Sequence, residues 1–265
     1  MQEKIVNLYE NSNQLVNAAI DKVVVEIFNK RKQESNRAQT IVLLGASPLV
    51  GTTSTAIDLA IAAAATGRHV LLIDCDVRKS EKYKKLNEQV SKGLADFLLQ
   101  DCGDQQDSVR VNTEEILYDT NVENLQYIPC GNYAVNPTRV MCSSRLNPLI
   151  EEMQGRYDYI ICDLPSITVV PDAQILFPLA DGIVLLVALG ETRKKEIREA
   201  KKKIMPFADK YYGMIVNKID LDIYKKNVKN CDYYLPNVKG EQKLGNSAAR
   251  RKYEKKKKAE DRKGE

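Results

Sequence analysis

Apolar runs of strand length alternate with helical segments through the middle of this 265-residue chain. The runs between positions 40 and 220 are "TIVLLG", "HVLLIDCD", "LQYIPCG", "YDYIICDLP", "ADGIVLLVALG" and "YYGMIVNKID". Most are nearly continuous in Val, Ile and Leu, which is typical of parallel strands covered by helices on both faces. The alternation therefore predicts right-handed crossovers and an α/β fold with a doubly wound, mostly parallel sheet.

The same alternation divides the chain into three parts. We predict an N-terminal helix and linker over residues 1–38, with the helix itself over 13–32. One large α/β domain follows over 39–222, which suits a chain of this length. Residues 223–265 are predicted to form a mobile tail, because the end of the chain, "RRKYEKKKKAEDRKGE", is strongly charged and almost free of apolar residues.

Composition excludes several classes of function. The net charge of +4 is concentrated in the basic tail, so the body of the domain is about neutral and lacks the charge of a nucleic-acid-binding surface. A single histidine and six scattered cysteines do not supply a zinc site. The polar N-terminus is unlike a signal peptide, and no apolar run reaches the roughly 20 residues of a membrane-spanning helix. We expect a cytoplasmic protein whose tail makes at most weak contact with an anionic membrane surface.

The loop after the first strand, "ASPLVGTTST", lies where a phosphate-binding loop belongs, because ligands of such sheets bind at the carboxyl ends of the strands. Glycine allows close approach of the backbone to a phosphate, and the first amides of the next helix favour an anion. A helix start capped by threonine explains the loop about as well. The candidate nucleotide-binding residues here are Ser47, Pro48, Val50, Gly51, Thr52, Thr53 and Ser54.

Carboxylates follow two further strands. Asp74 and Asp76 face the same side of the chain, because residues two apart in a strand do so. Two buried acids are costly unless a group such as hydrated Mg²⁺ compensates their charge. The alternative is a helix cap with a local ion pair to Arg78. A third strand closes on Asp163, which is placed to hold magnesium through water.

These motifs resemble those of a known family. The segments "HVLLIDCDVRKS", "GLADFLLQ", "NPTRVMCSSRLNPLIEEMQGRYDYIICDLPSITVVPDAQIL" and "ADGIVLLVALGETRKKEIREA" are similar to the bacterial tyrosine kinases of capsule and exopolysaccharide synthesis. That family consists of P-loop proteins related to the MinD and ParA ATPases. The resemblance covers residues 40–220 and implies a P-loop fold and a tyrosine autokinase that uses ATP and Mg²⁺.

The resemblance also implies partners, a location and roles for residues. It implies a membrane-anchored activator that modulates polysaccharide chain length, a place at the inner face of the cell membrane through that partner, and the option of a homo-oligomer. The family's phosphorylated tail corresponds here to Tyr224, Tyr233, Tyr234 and Tyr253.

Within the site, the resemblance assigns magnesium to Thr53, Asp76 and Asp163. Asp74, Asp76 and Arg78 are the catalytic candidates, with one aspartate taking the tyrosine proton and the arginine lying near the phosphates. The resemblance places Asn217 against adenine.

The chain departs from the family pattern in three ways. Thr52 stands where the family has the lysine that neutralises the outer phosphates, and Leu49 replaces a glycine of the loop. Losing such a contact costs on the order of 3–4 kcal/mol of transition-state stabilisation, which Arg78 or Lys79 would have to offset. The tail has few tyrosines, and the helical stretch "DKVVVEIFNK" has none of the arginines with which family members build rings.

Three alternatives therefore stay open. A catalytically impaired relative would act as a regulatory partner in polysaccharide assembly. A GTPase is suggested by "NKID", residues 217–220, which matches a guanine-reading motif. A positioning ATPase of the MinD type is disfavoured, because Ser47 stands where those proteins carry a second lysine.

Overall fold

The computed structural model describes residues 5–30, 37–78, 92–99, 112–132 and 136–220. The strands are β1 (Ile5–Val6), β2 (Gln39–Gly45), β3 (Val70–Asp74), β4 (Tyr118–Thr120), β5 (Leu125–Ile128), β6 (Tyr159–Leu164), β7 (Gly182–Ala188) and β8 (Tyr211–Asn217). The α-helices are α1 (Gln14–Asn29), α2 (Thr52–Ala64), α3 (Leu94–Leu99), α4 (Pro137–Met141), α5 (Leu146–Gln154) and α6 (Lys194–Ile204). Short 3₁₀ turns cover Thr113–Glu115, Asp172–Gln174 and Met205–Lys210.

All the strands belong to one sheet in the order β1-β4-β5-β3-β6-β2-β7-β8. Every neighbouring pair is parallel except β4 and β5. The sheet therefore confirms the predicted mostly parallel α/β fold. The edge strand β1 and its neighbour β4 were not predicted, because runs of two and three residues carry too little periodicity.

The two faces of the sheet are covered by different helices. One hydrophobic cluster joins one face of the sheet to α1 and α2, and the other joins the opposite face to α3, α4, α5 and α6. The central strands β2, β3, β6 and β7 are buried along their whole length, as near-continuous Val, Ile and Leu runs require. This is the doubly wound arrangement that the sequence predicts.

Helix α1 packs as part of this core. It begins after Asn13, whose side chain accepts a hydrogen bond from the Leu15 amide at 3.0 Å and so caps the helix. Ile20, Val24 and Ile27 recur at helical spacing and are buried against the cluster that includes α2. The observed helix, Gln14–Asn29, is shorter than the predicted span of 13–32.

The register of the central strands aligns their carboxyl ends. Leu43 of β2 lies opposite Asp163 of β6, and Asp163 in turn lies opposite Asp74 of β3. The loops that follow these strands therefore open at one edge of the sheet.

The predicted tail with Tyr224, Tyr233, Tyr234 and Tyr253 lies outside the described residues. Among the described helices, none has both the length and the apolar character needed to cross a membrane.

The start of β7 leaves no room for a side chain, which gives a test of the packing. A Cβ on Gly182 would lie 2.6 Å from Cε2 of Tyr212 and 2.8 Å from Cδ1 of Ile41. We expect Gly182→Ala to lower the free energy of unfolding by about 1–3 kcal/mol, because an overpacked core must shift. Urea denaturation measures this change.

Gly155 provides the matched control. Its φ is −80°, and a methyl group added at its Cα would have the Glu152 carbonyl oxygen as its nearest neighbour, at 3.4 Å. Gly155→Ala should therefore leave stability unchanged or raise it by up to about 1 kcal/mol. Equal effects of the two substitutions would contradict the packing described for β2, β7 and β8.

Candidate nucleotide-binding site

A cavity of about 350 Å³ opens where the carboxyl ends of β2, β3 and β6 meet. Its walls come from the loop after β2, the segment after β3 and the segment after β6. The lining residues are Ser47, Pro48, Leu49, Gly51, Thr52, Thr53, Ser54, Asp76, Arg78, Leu164, Pro165, Ser166, Val169 and Val170. The structure thus brings the loop, Asp76 and Arg78 together in one place, although they are far apart in the sequence.

The start of α2 presents main-chain amides to this cavity. Gly51 is the N-cap, with φ 90°, and it has no side chain that could cap the helix. The first helical hydrogen bond runs from the Thr55 amide to the Gly51 carbonyl at 3.0 Å, so the preceding amides belong to the uncapped first turn. An uncapped helix start of this kind favours an anion. The threonine cap considered from the sequence is not what the structure shows.

Gly51 is also fixed by the last strand. The Asn217 side chain donates from Nδ2 to the Val50 carbonyl at 2.8 Å, and a Cβ on Gly51 would lie 2.4 Å from that nitrogen. The Asn217 oxygen accepts a hydrogen bond from the Lys218 amide at 2.8 Å. The structure therefore places Asn217 behind the loop, in contact with its backbone. Val50 itself is buried in the core.

Leu49 occupies a conformation that favours glycine. Its φ is 61° and its side chain is 81% exposed. A left-handed backbone costs an L-residue roughly 1–2 kcal/mol, and an exposed side chain regains little of that by packing. The loop thus keeps the backbone shape that a glycine would allow at this position.

The carboxylates differ in their surroundings. Asp74 and Asp163 are nearly inaccessible at 2% and 3% exposure, whereas Asp76 is 8% exposed and lines the cavity. Asp74 Oδ1 accepts a hydrogen bond from the Asp76 amide at 3.0 Å, which fixes the turn that follows β3. Asp76 is therefore the carboxylate that the structure presents to the cavity.

Arg78 is held by side chains from two other segments of the chain. Its Nε donates to Asp172 Oδ2 at 2.6 Å, and its Nη2 donates to Thr138 Oγ1 at 3.1 Å. Thr138 in turn donates to the other Asp172 oxygen. The Asp172 side chain is only 2% exposed, whereas that of Arg78 is 33% exposed. The structure thus pairs Arg78 with a distant acid, whereas the alternative considered from the sequence was a local ion pair.

Asp172 and Thr138 were missed as functional residues in the sequence. Both lie in segments that carried the family resemblance, "PDAQIL" and "NPTRV". Nothing in those segments shows that they meet Arg78, because the contact joins positions that are 94 and 60 residues apart.

Two buried thiols lie beneath the carboxylates. A hydrogen bond with Cys162, followed by burial, holds the pKa of Cys75 well above its usual range, and the Asp74 and Asp163 charges act in the same direction. Cys75 therefore stays protonated at neutral pH. Both cysteines are buried and free of disulfides, so they pack as small apolar residues.

The donors present suit magnesium bound together with phosphate. Mg²⁺ prefers oxygen ligands and retains several waters, with one or two carboxylates and substrate phosphates completing its shell. The Thr53 hydroxyl and the carboxylates of Asp76 and Asp163 are donors of that kind. Within the described residues, no three His, Cys, Asp or Glu side chains are grouped to hold a metal ion by themselves.

The conformation of Leu49 gives a prediction about stability. We expect Leu49→Gly to raise the free energy of unfolding by up to about 1 kcal/mol, because glycine adopts a positive φ without steric cost. Leu189→Gly is the control, since Leu189 is 52% exposed and lies outside the left-handed region. That control should lower stability by roughly 0.5–1 kcal/mol. Destabilisation by both substitutions in urea titrations would contradict the strain at Leu49.

Comparison with known proteins agrees with this geometry. Residues 38–221 match the family described as AAA domain (AAA_31). The chain is 33% identical over 195 residues to tyrosine-protein kinase CpsD of Streptococcus pneumoniae serotype 4, which covers 73% of this chain and 82% of that protein.

Solved structures agree in fold. The kinase domain of Escherichia coli tyrosine kinase ETK matches with a TM-score of 0.66 at 20% identity, over 80% of this chain and 82% of that one. The septum site-determining protein MinD of Pyrococcus horikoshii matches with a TM-score of 0.52 at 18% identity, over 68% and 70%. The predicted P-loop architecture related to MinD is thus confirmed. The chain belongs to the bacterial tyrosine-protein kinases, a family of P-loop proteins within the AAA domain group.

Proposed function

We propose that this chain is an ATP-dependent protein-tyrosine autokinase that acts in the synthesis of capsule or exopolysaccharide. The observation that carries the proposal is the uncapped start of α2, which faces the same cavity as Asp76 and Arg78. A triphosphate needs main-chain amides, a cation and metal-holding oxygens, and this cavity gathers all three. The identity to tyrosine-protein kinase CpsD supports the choice of reaction.

In this proposal each group has a defined task. The amides of the first turn of α2 bind phosphate oxygens, and Thr53, Asp76 and Asp163 would hold a magnesium ion, which would neutralise phosphate charge. The tyrosine oxygen forms a bond to the γ-phosphorus while the bond between that phosphorus and the β,γ-bridging oxygen breaks. Asp76 takes the phenolic proton, since it is the carboxylate most open to the cavity, and ADP leaves with the bridging oxygen.

Arg78 replaces part of the charge of the missing lysine. Two of its nitrogens are engaged by Asp172 and Thr138, so its guanidinium has a fixed position in the cavity wall. Fixed charges stabilise a transferring phosphoryl group without reorganisation during the reaction. Asp172 is therefore a positioning residue in this proposal, and Arg78 is the group that acts on phosphate.

The partner and location follow from the family. We propose that a membrane-anchored modulator of polysaccharide chain length activates the chain and holds it at the inner face of the membrane. Tyr224, Tyr233, Tyr234 and Tyr253 are the proposed acceptors of phosphate. Asn217 is proposed to contact adenine on the side of the loop that it fixes.

A second candidate is a catalytically impaired relative that regulates polysaccharide assembly. Thr52 in place of lysine favours it, because a threonine at this position brings no charge to the phosphates. The two candidates differ in whether the native cavity binds nucleotide, and a single substitution separates them.

We expect Thr52→Lys to tighten the binding of ATP with Mg²⁺ by about ten- to a hundredfold, since a hydrogen bond to a charged group contributes roughly 1.5–3 kcal/mol. Calorimetric titration of the wild type and the variant, with and without Mg²⁺, measures this. Thr66→Lys is the control, because it adds the same charge beyond the other end of the same helix, roughly 20 Å away.

The outcomes separate the candidates. Magnesium-dependent ATP binding by the wild type, followed by phosphotyrosine in the tail, supports the kinase. Binding that exists only in Thr52→Lys supports the impaired relative. A preference for GTP over ATP in the wild type would contradict both candidates and favour the interpretation of residues 217–220 as a guanine-binding motif.

The contact between Arg78 and Asp172 gives a separate prediction. Asp172→Asn keeps the side-chain shape but removes the charge that orients the guanidinium, so ATP affinity should fall about tenfold. Asp181→Asn is the control, because Asp181 pairs with Arg37 at 2.7 Å near the amino ends of the strands. Equal ATP affinities in both variants and the wild type, with both folded, would show that Arg78 does not need Asp172.

A further inference from the structure

A second cavity lies at the opposite edge of the sheet from the loop. It has a volume of about 620 Å³ and opens beside the amino ends of β2, β7 and β8. Small-molecule sites commonly have volumes of about 300–1,000 Å³. None of the residues assigned to nucleotide or magnesium lines this cavity. A ligand in this cavity would therefore contact none of the residues proposed for the kinase reaction.

A buried amide in the wall of this cavity has one polar atom without a hydrogen-bond partner. Gln39 is 6% exposed, and its Nε2 donates to the Tyr212 hydroxyl at 2.6 Å. Its Oε1 is buried and has no hydrogen-bond partner in the described part of the chain. Exchanging the two amide atoms leaves a nitrogen unsatisfied instead, so the cavity wall contains an unmet hydrogen bond in either orientation. A buried polar group in this state calls for a ligand or a water.

The charges around the cavity favour an anion. Lys30 Nζ donates to the Tyr212 carbonyl at 3.3 Å and lies 4.7 Å from the centre of the Tyr212 ring. Lys210 Nζ donates to the Pro178 carbonyl at 2.8 Å. Neither ammonium has a carboxylate within salt-bridge distance among residues 5–30, 37–78, 92–99, 112–132 and 136–220.

Among the residues that the structure describes, the acids at this edge do not cancel that charge. Asp181 forms a salt bridge with Arg37 at 2.7 Å and accepts a hydrogen bond from the Thr40 amide at 2.9 Å. Asp209 lies on the exposed rim, where water screens its charge. Two ammonium groups thus remain to attract an anion to the cavity.

The rest of the wall is apolar or aromatic. Pro178, Leu179 and Ala180 form one side, and Tyr211 and Tyr212 form the other. Burial raises the pKa of both tyrosines, so their hydroxyls remain protonated at neutral pH. Aromatic and aliphatic walls bind the ring or carbon skeleton of a ligand, while a few polar groups fix its orientation.

We propose that this cavity binds a small organic phosphate, with its phosphate between Lys30 and Lys210 and a donor group hydrogen-bonded to Gln39. Inorganic phosphate alone would not contact the aromatic wall and would not form a hydrogen bond with the Gln39 amide. Sugar phosphates and nucleoside monophosphates both have the required parts, namely a dianion, hydroxyl or amino donors and a ring.

The test uses the full chain, and Lys210→Gln and the Gln39 resonances distinguish binding in this cavity from binding at the loop. Glucose 1-phosphate, AMP and inorganic phosphate are titrated separately by calorimetry without Mg²⁺. We expect saturable binding of at least one organic phosphate, at least about tenfold tighter than that of inorganic phosphate. Lys210→Gln should weaken it about tenfold, because a hydrogen bond to a charged group is lost. Lys202→Gln, an exposed lysine of α6, should not.

A second readout locates the ligand. The side-chain amide resonances of Gln39, assigned by their loss in Gln39→Met, should shift on addition of the bound phosphate. The double variant Gln39→Met/Tyr212→Phe removes the buried polar pair together, and it should remain folded and fail to bind. The proposal would be overturned if neither organic phosphate bound, or if inorganic phosphate bound with the same affinity. It would also be overturned if Lys210→Gln bound the organic phosphate as tightly as the unsubstituted chain, or if the Gln39 resonances did not shift. Kinase activity plays no part in these outcomes.

Discussion

The parallel pairing of β2 between β6 and β7 is the constraint on which the rest of the structure depends. With β3 beside β6, this order aligns the carboxyl ends of the three strands that carry the loop, Asp74 and Asp163. Parallel pairing requires crossovers, and the crossovers are the helices that cover both faces. The same contacts that bury the core therefore also assemble the cavity. A shift of one residue in the register of β2 would separate the loop from both acids.

Charge is distributed around the cavity in an unusual way for a phosphate site. The loop offers main-chain amides but no cation of its own, because Thr52 stands at the lysine position. The arginine of the cavity comes from the segment after β3, and side chains from two further segments hold it in place. The position of this positive charge thus depends on tertiary contacts and not on the loop.

The fold and the strand-end residues could be predicted because they follow from local patterns. Continuous apolar runs identify buried parallel strands, and acids at the ends of such runs identify the site. The contact of Asp172 with Arg78 could not be predicted, since it joins distant segments whose polarity alone gives no partner. The left-handed backbone at Leu49 was equally hidden, because leucine rarely marks such a turn. The short strands β1 and β4 exist only through pairing with their neighbours.

The hydrogen bond from Asn217 to the Val50 carbonyl joins the last strand of the described sheet to the loop. β8 is an edge strand of the described sheet, and its ladder partner there is β7. A slip of β8 by one residue along β7 would move Asn217 by about 3.3 Å and break this bond. The conformation of the loop therefore depends on the position of β8 in the sheet. A molecule that bound along β8 and displaced this strand would therefore make the loop after β2 less rigid without contacting the loop.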